Sequence, residues 1–182
     1  MARFRHRRGY GVHSPFAFAF ITGVVYEQSP YYAYASLASL HPWWVRWSGG
    51  YPLKCRRLLF RLANYVHPDR VLLVGAGAEE QAYVKAAVPR AEVLCTRETA
   101  EPQQADFVFL GHEQLSYAPS LLPAMPSKAM MVLEGIHEKP EALALWRTLQ
   151  ESDFTGVSFD LFTYGILFFN HHIHKQHYIV NF

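Results

Sequence analysis

The chain has 182 residues, 51% of them apolar, and a formal net charge of +2 at neutral pH. This length supports one well-filled core and is short for two. The two cysteines, Cys55 and Cys95, lack the spacing of a zinc site, and they favour a reduced, cytoplasmic setting.

Basic residues are concentrated at the front of the chain. Residues 1–70 hold ten lysines and arginines against two acidic residues. Such a face could meet phosphate or an anionic surface, or stay solvated. The basic segment 3–8, followed by the apolar run 15–25, is also similar to a secretory signal. The turn-rich break at 9–15 argues against that interpretation, and the apolar run is too short to span a membrane.

Two helices are predicted before the first strand. Ser14 can cap a helix that has Pro15 at its first position and apolar residues at helical spacing through Val25. A second, amphipathic helix is predicted between Pro52 and His67, with Lys54, Arg57 and Arg61 on its polar face. Between them, the aromatic-rich stretch 31–47 could line a pocket, meet a membrane interface or cover a sheet edge, with core packing as the default.

The stretch 70–82 organises the rest of the chain. Three consecutive apolar residues, 72–74, are typical of a central parallel strand, and Gly75-Ala-Gly77 follows them directly before a helix. Glycines allow a sharp turn and a close approach of the backbone to a ligand, next to the free amides of the helix. A plain strand-to-helix turn would have the same pattern.

Strands and helices then alternate. This order predicts an α/β, Rossmann-like fold with a mostly parallel sheet and antiparallel C-terminal strands, in which residues 1–69 form a helical extension packed on a core of residues 70–182. Strands are predicted at 92–95, 106–110, 127–135, 157–162, 165–169 and 176–182, and helices at 79–88, 119–124 and 139–151.

Several motifs resemble one known family. The segment GYGVHSPFAF at 9–18, the glycine turn, and the segments 106–112, 134–137 and 159–169 together resemble the class I S-adenosylmethionine-dependent methyltransferases. Within that family, they resemble a bacterial group that begins with a GHGVHSPF-like segment. The resemblance spans nearly the whole chain and implies a methyltransferase fold.

The resemblance also implies a cofactor site. S-adenosylmethionine would lie over Gly75 and Gly77, and its ribose hydroxyls would be held by an acidic residue after the second strand, for which Glu98 is the candidate beside Arg97. The connection 96–105 is too short for the helix and strand that usually enclose the adenine in this family.

Three residues are candidates for the reaction itself. Metal-assisted relatives have aspartates where this chain has His112 and the segment Glu134-Gly-Ile-His137, so no magnesium site is predicted. His112, Glu134 and His137 could bind a softer divalent ion, or His137 could deprotonate a hydroxyl group of the acceptor. They could also be loop residues without a role. The histidine-rich segment 171–177 is expected to be an exposed loop, with a metal site as the alternative.

Two functions follow from these observations. The first is methyl transfer to an oxygen or nitrogen of a small molecule. The second is a catalytically inactive, methyltransferase-fold module for binding or assembly, which would use its basic, aromatic N-terminal face to hold a partner such as RNA. No membrane partner is expected, and homo-oligomerisation stays open.

Overall fold

The computed structural model describes residues 14–41, 51–97, 104–170 and 172–182. The helices that it contains cover the predicted positions. They are α1 (Pro15–Phe20), which continues as a π-helical turn (Ile21–Val25), α2 (Tyr34–Leu37), α3 (Tyr51–Val66), α4 (Ala78–Ala87), α5 (Ala118–Leu121) and α6 (Pro140–Glu151).

A seven-stranded sheet forms the centre of the described chain, in the order β2-β1-β3-β4-β6-β5-β7. Each strand lies where the apolar patterns predict one. Their bounds are β1 Arg70–Val74, β2 Glu92–Thr96, β3 Phe107–Leu110, β4 Met130–Glu134, β5 Val157–Asp160, β6 Tyr164–Phe168 and β7 Gln176–Ile179.

The expected Rossmann-like α/β fold is confirmed. Strands β2, β1, β3 and β4 pair in parallel, and both antiparallel pairings involve β6, which lies between β4 and β5. The edge strand β7 then pairs in parallel with β5. At the opposite edge, β1 is the partner of β2 within the described residues, consistent with the short connection to β3.

Two apolar clusters cover the two faces of the sheet, because successive side chains of a strand point to opposite sides. Phe107 and Phe109 of β3 belong to the cluster that contains α1, α3 and α4. Val108 and Leu110 of the same strand belong to the cluster that contains α5 and α6. The carboxyl ends of the parallel strands therefore meet at one edge, between these helical layers.

The start of α1 follows the sequence prediction in detail. The Ser14 hydroxyl accepts a hydrogen bond from the Ala17 amide at 3.3 Å, and Pro15 occupies the first turn. Phe20 is buried and packs against Phe159 of β5, with ring centroids 4.7 Å apart. Residues before β1 thus contribute directly to the core of the sheet.

Arg61 lies in a different environment from the one its pattern predicts. The sequence places it on the polar face of α3, but its side chain is buried, with 6% exposed. Its Nε donates to the Val24 carbonyl at 2.7 Å, and an Nη donates to the Val25 carbonyl at 3.0 Å. The guanidinium therefore ties α3 to the carbonyls at the end of the π-helical turn, which lack helical partners.

No helix among the described residues has both the length and the apolar character needed to cross a bilayer. Cys55 is buried in α3 and Cys95 is half-buried in β2, and the two do not form a disulfide bond.

Gly165 of β6 tests the packing of the second face. A Cβ at this position would lie 2.7 Å from Cζ3 of the buried Trp146 ring, so we expect Gly165→Ala to lower the free energy of unfolding by about 1–3 kcal/mol. Gly23 is the matched control, because a Cβ there would meet nothing within 4 Å. Urea unfolding followed by circular dichroism should show Gly23→Ala to be neutral or stabilising. Equal effects of the two substitutions would contradict this account of the packing.

Candidate functional site

The turn after β1 has the backbone geometry that its glycines allow. Gly75 has φ +70°, in the left-handed region, and its amide donates to the Thr96 carbonyl at 2.9 Å. Gly77 is the N-cap of α4, and because it has no side chain, the first amides of this helix have no side-chain cap. The turn therefore presents backbone donors at the carboxyl edge of the sheet.

A second glycine brings the loop after β3 against this turn. The Gly111 amide donates to the Val74 carbonyl at 2.9 Å, and a Cβ on Gly111 would lie 2.7 Å from the Gly75 carbonyl oxygen. From the same loop, the side-chain amide of Gln114 lies directly against the Cα of Gly75. Gln114 is thus a site residue that the motif comparison missed, although it follows His112 by two positions.

Carboxylates surround the turn. Arg56 of α3 pairs with two of them: its Nε lies 2.5 Å from Oε2 of Glu79, and an Nη lies 3.1 Å from Oε1 of Glu80. The Glu80 carboxylate also reaches back to Gly77, where an added Cβ would lie 2.5 Å from Oε2. We call Glu79, Glu80, Glu134 and Glu138 the acidic rim.

Glu134, the last residue of β4, is a half-buried member of the acidic rim. Burial raises the pKa of Glu134, and the charges of Glu80 and Glu138 raise it further, whereas His112 and Arg56 lower it. The His112 Nδ1 lies 4.0 Å from Oε2 of Glu134. Glu134 is therefore a carboxyl group that holds a proton more readily than an exposed glutamate does.

His137 belongs to a neighbouring group. Its Nε2 lies 2.8 Å from Oδ2 of Asp160, and its ring stacks on Phe162 with centroids 4.6 Å apart. Phe162 has φ +73°, and its amide donates to the other carboxylate oxygen of Asp160 at 2.8 Å. Because a carboxylate only accepts, Nε2 carries the hydrogen, and Nδ1 is the nitrogen available to accept a proton.

The backbone of Gly135 connects Glu134 of the acidic rim to the His137–Asp160 pair. Its amide donates to the Thr163 carbonyl at 2.7 Å, and its φ of +75° allows the turn between Glu134 and His137. A Cβ on Gly135 would lie 2.9 Å from Cβ of His112. The structure therefore brings the segments of all three predicted reaction residues to one edge of the sheet.

The structure describes two of the three predicted cofactor residues. Gly75 and Gly77 lie at the turn, whereas Glu98 lies outside the described residues. Asp160, Gln114, Glu80 and Arg56 were not identified from the sequence. Asp160 could have been found, because it lies in the segment 159–169 that contributes to the family resemblance. The others are recognised only once the loops are folded together.

The histidine-rich segment divides between loop and strand. His172 and His174 are exposed, and His177 lies on β7, where its Nδ1 is 2.8 Å from the Ser158 hydroxyl. Burial lowers the pKa of His177. Within the described part of the chain, histidine, cysteine and acidic side chains form no group suited to holding a metal ion.

No family model matches the chain, and no curated protein is significantly similar to it. Solved structures do match it. SAH-bound Podospora anserina methyltransferase PaMTH1 is 10% identical over 86% of this chain and 96% of its own, with a TM-score of 0.45. Cofactor-bound Rv0187 from MTB is 13% identical over 89% of this chain and 93% of its own, with a TM-score of 0.36.

The plantazolicin methyltransferase BpumL, solved in complex with SAH, is 12% identical with a TM-score of 0.35. The match covers 48% of this chain and 52% of that enzyme, so the chain spans about half of its length. At these identities and scores, the similarities carry no argument about activity.

The ionisation of Glu134 makes the stability of the folded chain depend on pH. Because its pKa is raised in the folded state, ionisation of Glu134 costs stability, and this cost appears as the pH rises through the folded-state pKa. Glu134→Gln removes the ionisable group, so we expect this variant to melt a few degrees higher than the parent chain at pH 7.5. For a chain of this size, each kcal/mol of stability corresponds to about 2–4 °C. The difference in melting temperature should disappear at acidic pH, where Glu134 is protonated in the parent chain.

Thermal unfolding across the pH range measures this difference. Glu113→Gln is the control, because the Glu113 side chain is exposed in the loop after β3. A carbon-13 titration of the Glu134 carboxyl group should show the raised pKa directly. A Glu134→Gln effect that does not vary with pH would contradict the burial of an ionisable group at this position.

Proposed function

We propose that this chain is an S-adenosylmethionine-dependent methyltransferase that transfers a methyl group to an oxygen or nitrogen of a small molecule. The observation that carries the proposal is the left-handed turn at Gly75, which joins a buried parallel strand to the uncapped start of α4 among carboxylates. Rossmann-like sheets bind nucleotides at this edge. The motif resemblance of the sequence supports the same ligand.

The charges around the turn suit this cofactor. The uncapped amides at the start of α4 would hold its carboxylate, because helix N-termini bind anions. Glu80 and Glu134 would face its positive groups, the ammonium and the sulfonium. Burial raises the pKa of Glu134, and the charges of Glu80 and Glu138 add to that shift, so a positive group of the ligand beside Glu134 would favour its ionised form.

Gly75 and Gly77 allow a ligand to contact the backbone closely, provided that two neighbouring side chains make room for it. Gln114 lies against Gly75 and Glu80 against Gly77, so both side chains must contact the cofactor or turn away from it. Each contact is made by the far end of a flexible side chain, which moves at low cost. We assign Gln114 as a hydrogen-bonding partner for the cofactor, since its amide can both donate and accept.

Proton transfer from the acceptor would fall to the His137 pair. Asp160 holds the His137 ring through Nε2, which orients Nδ1 as the general base, and Phe162 fixes the plane of the ring. When bound, the cofactor would supply an activated methyl group, so the protein's contribution is mainly alignment and removal of the proton. His112 and Glu134 would line the acceptor side of the same edge.

A second candidate is a catalytically inactive module with the same fold. It is favoured by the side chains of Gln114 and Glu80, which lie against the two glycines where the cofactor would bind. Such a module would hold its partner through the basic, aromatic N-terminal part of the chain. If that partner is RNA, its affinity should fall steeply with added salt.

Calorimetry with S-adenosylmethionine and S-adenosylhomocysteine separates the two candidates. We expect micromolar binding, with the sulfonium form preferred roughly 5-fold, because it alone carries the positive charge that the acidic rim attracts. Gly77→Val should weaken binding at least about 10-fold, since its side chain would occupy the turn. Gly77 has φ −69° and ψ 171°, which valine also adopts, so this variant is expected to fold.

Gly23→Val serves as the control, because that position has open space and lies outside the site. It should bind the cofactor as the parent chain does. If the folded parent chain shows no binding at millimolar cofactor, the methyltransferase proposal is wrong and the inactive module remains.

A further inference from the structure

A large cavity lies beside α3, and its described lining residues are not those of the glycine turn. Its volume is about 1140 Å³, and the end of the π-helical turn, α2, α3 and the last two residues of the chain contribute to its wall. Volumes of this order accommodate small organic ligands. It is lined by Val25–Ser29, Tyr34, Leu53, Lys54, Arg57, Arg61, Asn181 and Phe182.

The cavity is cationic because of the spacing of basic residues on α3. Lys54, Arg57 and Arg61 follow one another at intervals of three and four residues, so they lie on one face of the helix. Among the described residues of the lining, Glu27 is the one acidic side chain. A hydrogen bond with Ser29 lowers the pKa of Glu27, which keeps it ionised at neutral pH. The lining therefore has an excess of positive charge.

Two arginines in this lining have a positive charge or a hydrogen-bond donor that the described residues satisfy only in part. The guanidinium of Arg61 is buried and always charged. It donates hydrogen bonds to the Val24 and Val25 carbonyls, and its charge is offset in part by Glu27, whose pKa is lowered by hydrogen bonds with Ser29 and further by Arg61. Within the described residues, the buried Nε of Arg57 has no hydrogen-bond partner. Buried polar groups of this kind are normally paired, so an anionic partner would complete the site.

Aromatic rings accompany the cations. The Arg57 guanidinium lies 4.9 Å from the centroid of the Tyr34 ring, and the Lys54 Nζ lies 4.0 Å from the centroid of the Phe182 ring. Tyr26 connects this wall to the end of the chain through a hydrogen bond from its hydroxyl to the Asn181 carbonyl. Flat apolar surfaces thus lie beside the positive groups, as in sites that bind a planar ligand with a charged substituent.

We infer that this cavity binds a small organic anion, namely a planar aromatic body that carries a phosphate or carboxylate group. Arg57 and Arg61 bind the anionic group, and the rings of Tyr34 and Phe182 pack against the planar body. The site is separate from the glycine turn: within α3, Arg56 pairs with Glu79 and Glu80, whereas its neighbour Arg57 lines the cavity. This assignment does not depend on methyl transfer.

Calorimetry with phenyl phosphate, benzoate, inorganic phosphate and benzyl alcohol tests the inference on the full chain. Phenyl phosphate or benzoate should bind with a submillimolar dissociation constant, more tightly than either inorganic phosphate or neutral benzyl alcohol. Comparison of the two aromatic anions identifies the preferred anionic group. Arg57→Gln should weaken that binding at least about 10-fold, because it removes a charged hydrogen-bond donor.

Lys54→Gln is the second variant, since Lys54 is exposed on the helix surface and its replacement leaves the core intact. It should also weaken binding. Arg147→Gln, an exposed arginine on α6 across the sheet, is the matched control and should bind as the parent chain does. Saturating S-adenosylmethionine should leave the affinity for phenyl phosphate unchanged.

Absence of binding by both aromatic anions at about 10 mM would overturn the inference, because a built site would hold them more tightly. So would equal affinities of the parent chain, Arg57→Gln and Lys54→Gln. Equal binding of inorganic phosphate and the aromatic anions would show that the rings take no part. Displacement of phenyl phosphate by S-adenosylmethionine would place the anion at the glycine turn instead.

Discussion

The close approach of two backbone turns is the constraint on which the candidate site depends. β1 and β3 are adjacent parallel strands, and the turns that follow them meet where Gly111 packs against the carbonyl of Gly75. A side chain at Gly111 would force these turns apart. A side chain at Gly75 would clash with Gln114, and the left-handed backbone conformation of Gly75 disfavours any residue with a side chain. The contact sets where α4 begins and where the loop that carries His112 and Gln114 lies. Glu79, Glu80 and His112 take their positions from these two segments.

Helix α3 separates two electrostatic environments. Its Arg56 side chain offsets part of the negative charge beside the glycine turn, and the adjacent Arg57 contributes to the positive charge of the cavity on the other side. Consecutive helical residues point about 100° apart, so one helix can serve both sites. The acidic side suits a ligand with a net positive charge, such as S-adenosylmethionine, whereas the basic side suits an anion. The buried bonds of Arg61 to the Val24 and Val25 carbonyls tie the cavity side of α3 to the π-helical turn.

Much of the fold could be predicted from the sequence, because its signals are local. The apolar runs of β1, β3 and β4, the cap at Ser14 and the proline at the start of α6 each act within a few residues, and the structure contains every predicted strand. The candidate site was harder. His112, Glu134 and His137 were found through the family resemblance, because they stand where metal-assisted relatives have aspartates. Asp160 and Gln114 gain their roles from partners on other segments, and the burial of Arg61 depends on carbonyls 36 and 37 positions away. Helical periodicity does not contain that information.

The central claim is that the turn at Gly75 and Gly77 binds a sulfonium nucleoside. Heteronuclear NMR of the full chain, titrated with S-adenosylmethionine, tests it most directly, since each backbone amide reports its own surroundings. The account predicts shifts for the amides of Gly75, Ala76 and Gly77 and for the side-chain amide of Gln114, with Arg57 and Tyr34 unaffected. Saturable binding that shifts the cavity residues and leaves the turn unchanged, or a spectrum that does not respond at millimolar cofactor, would contradict it.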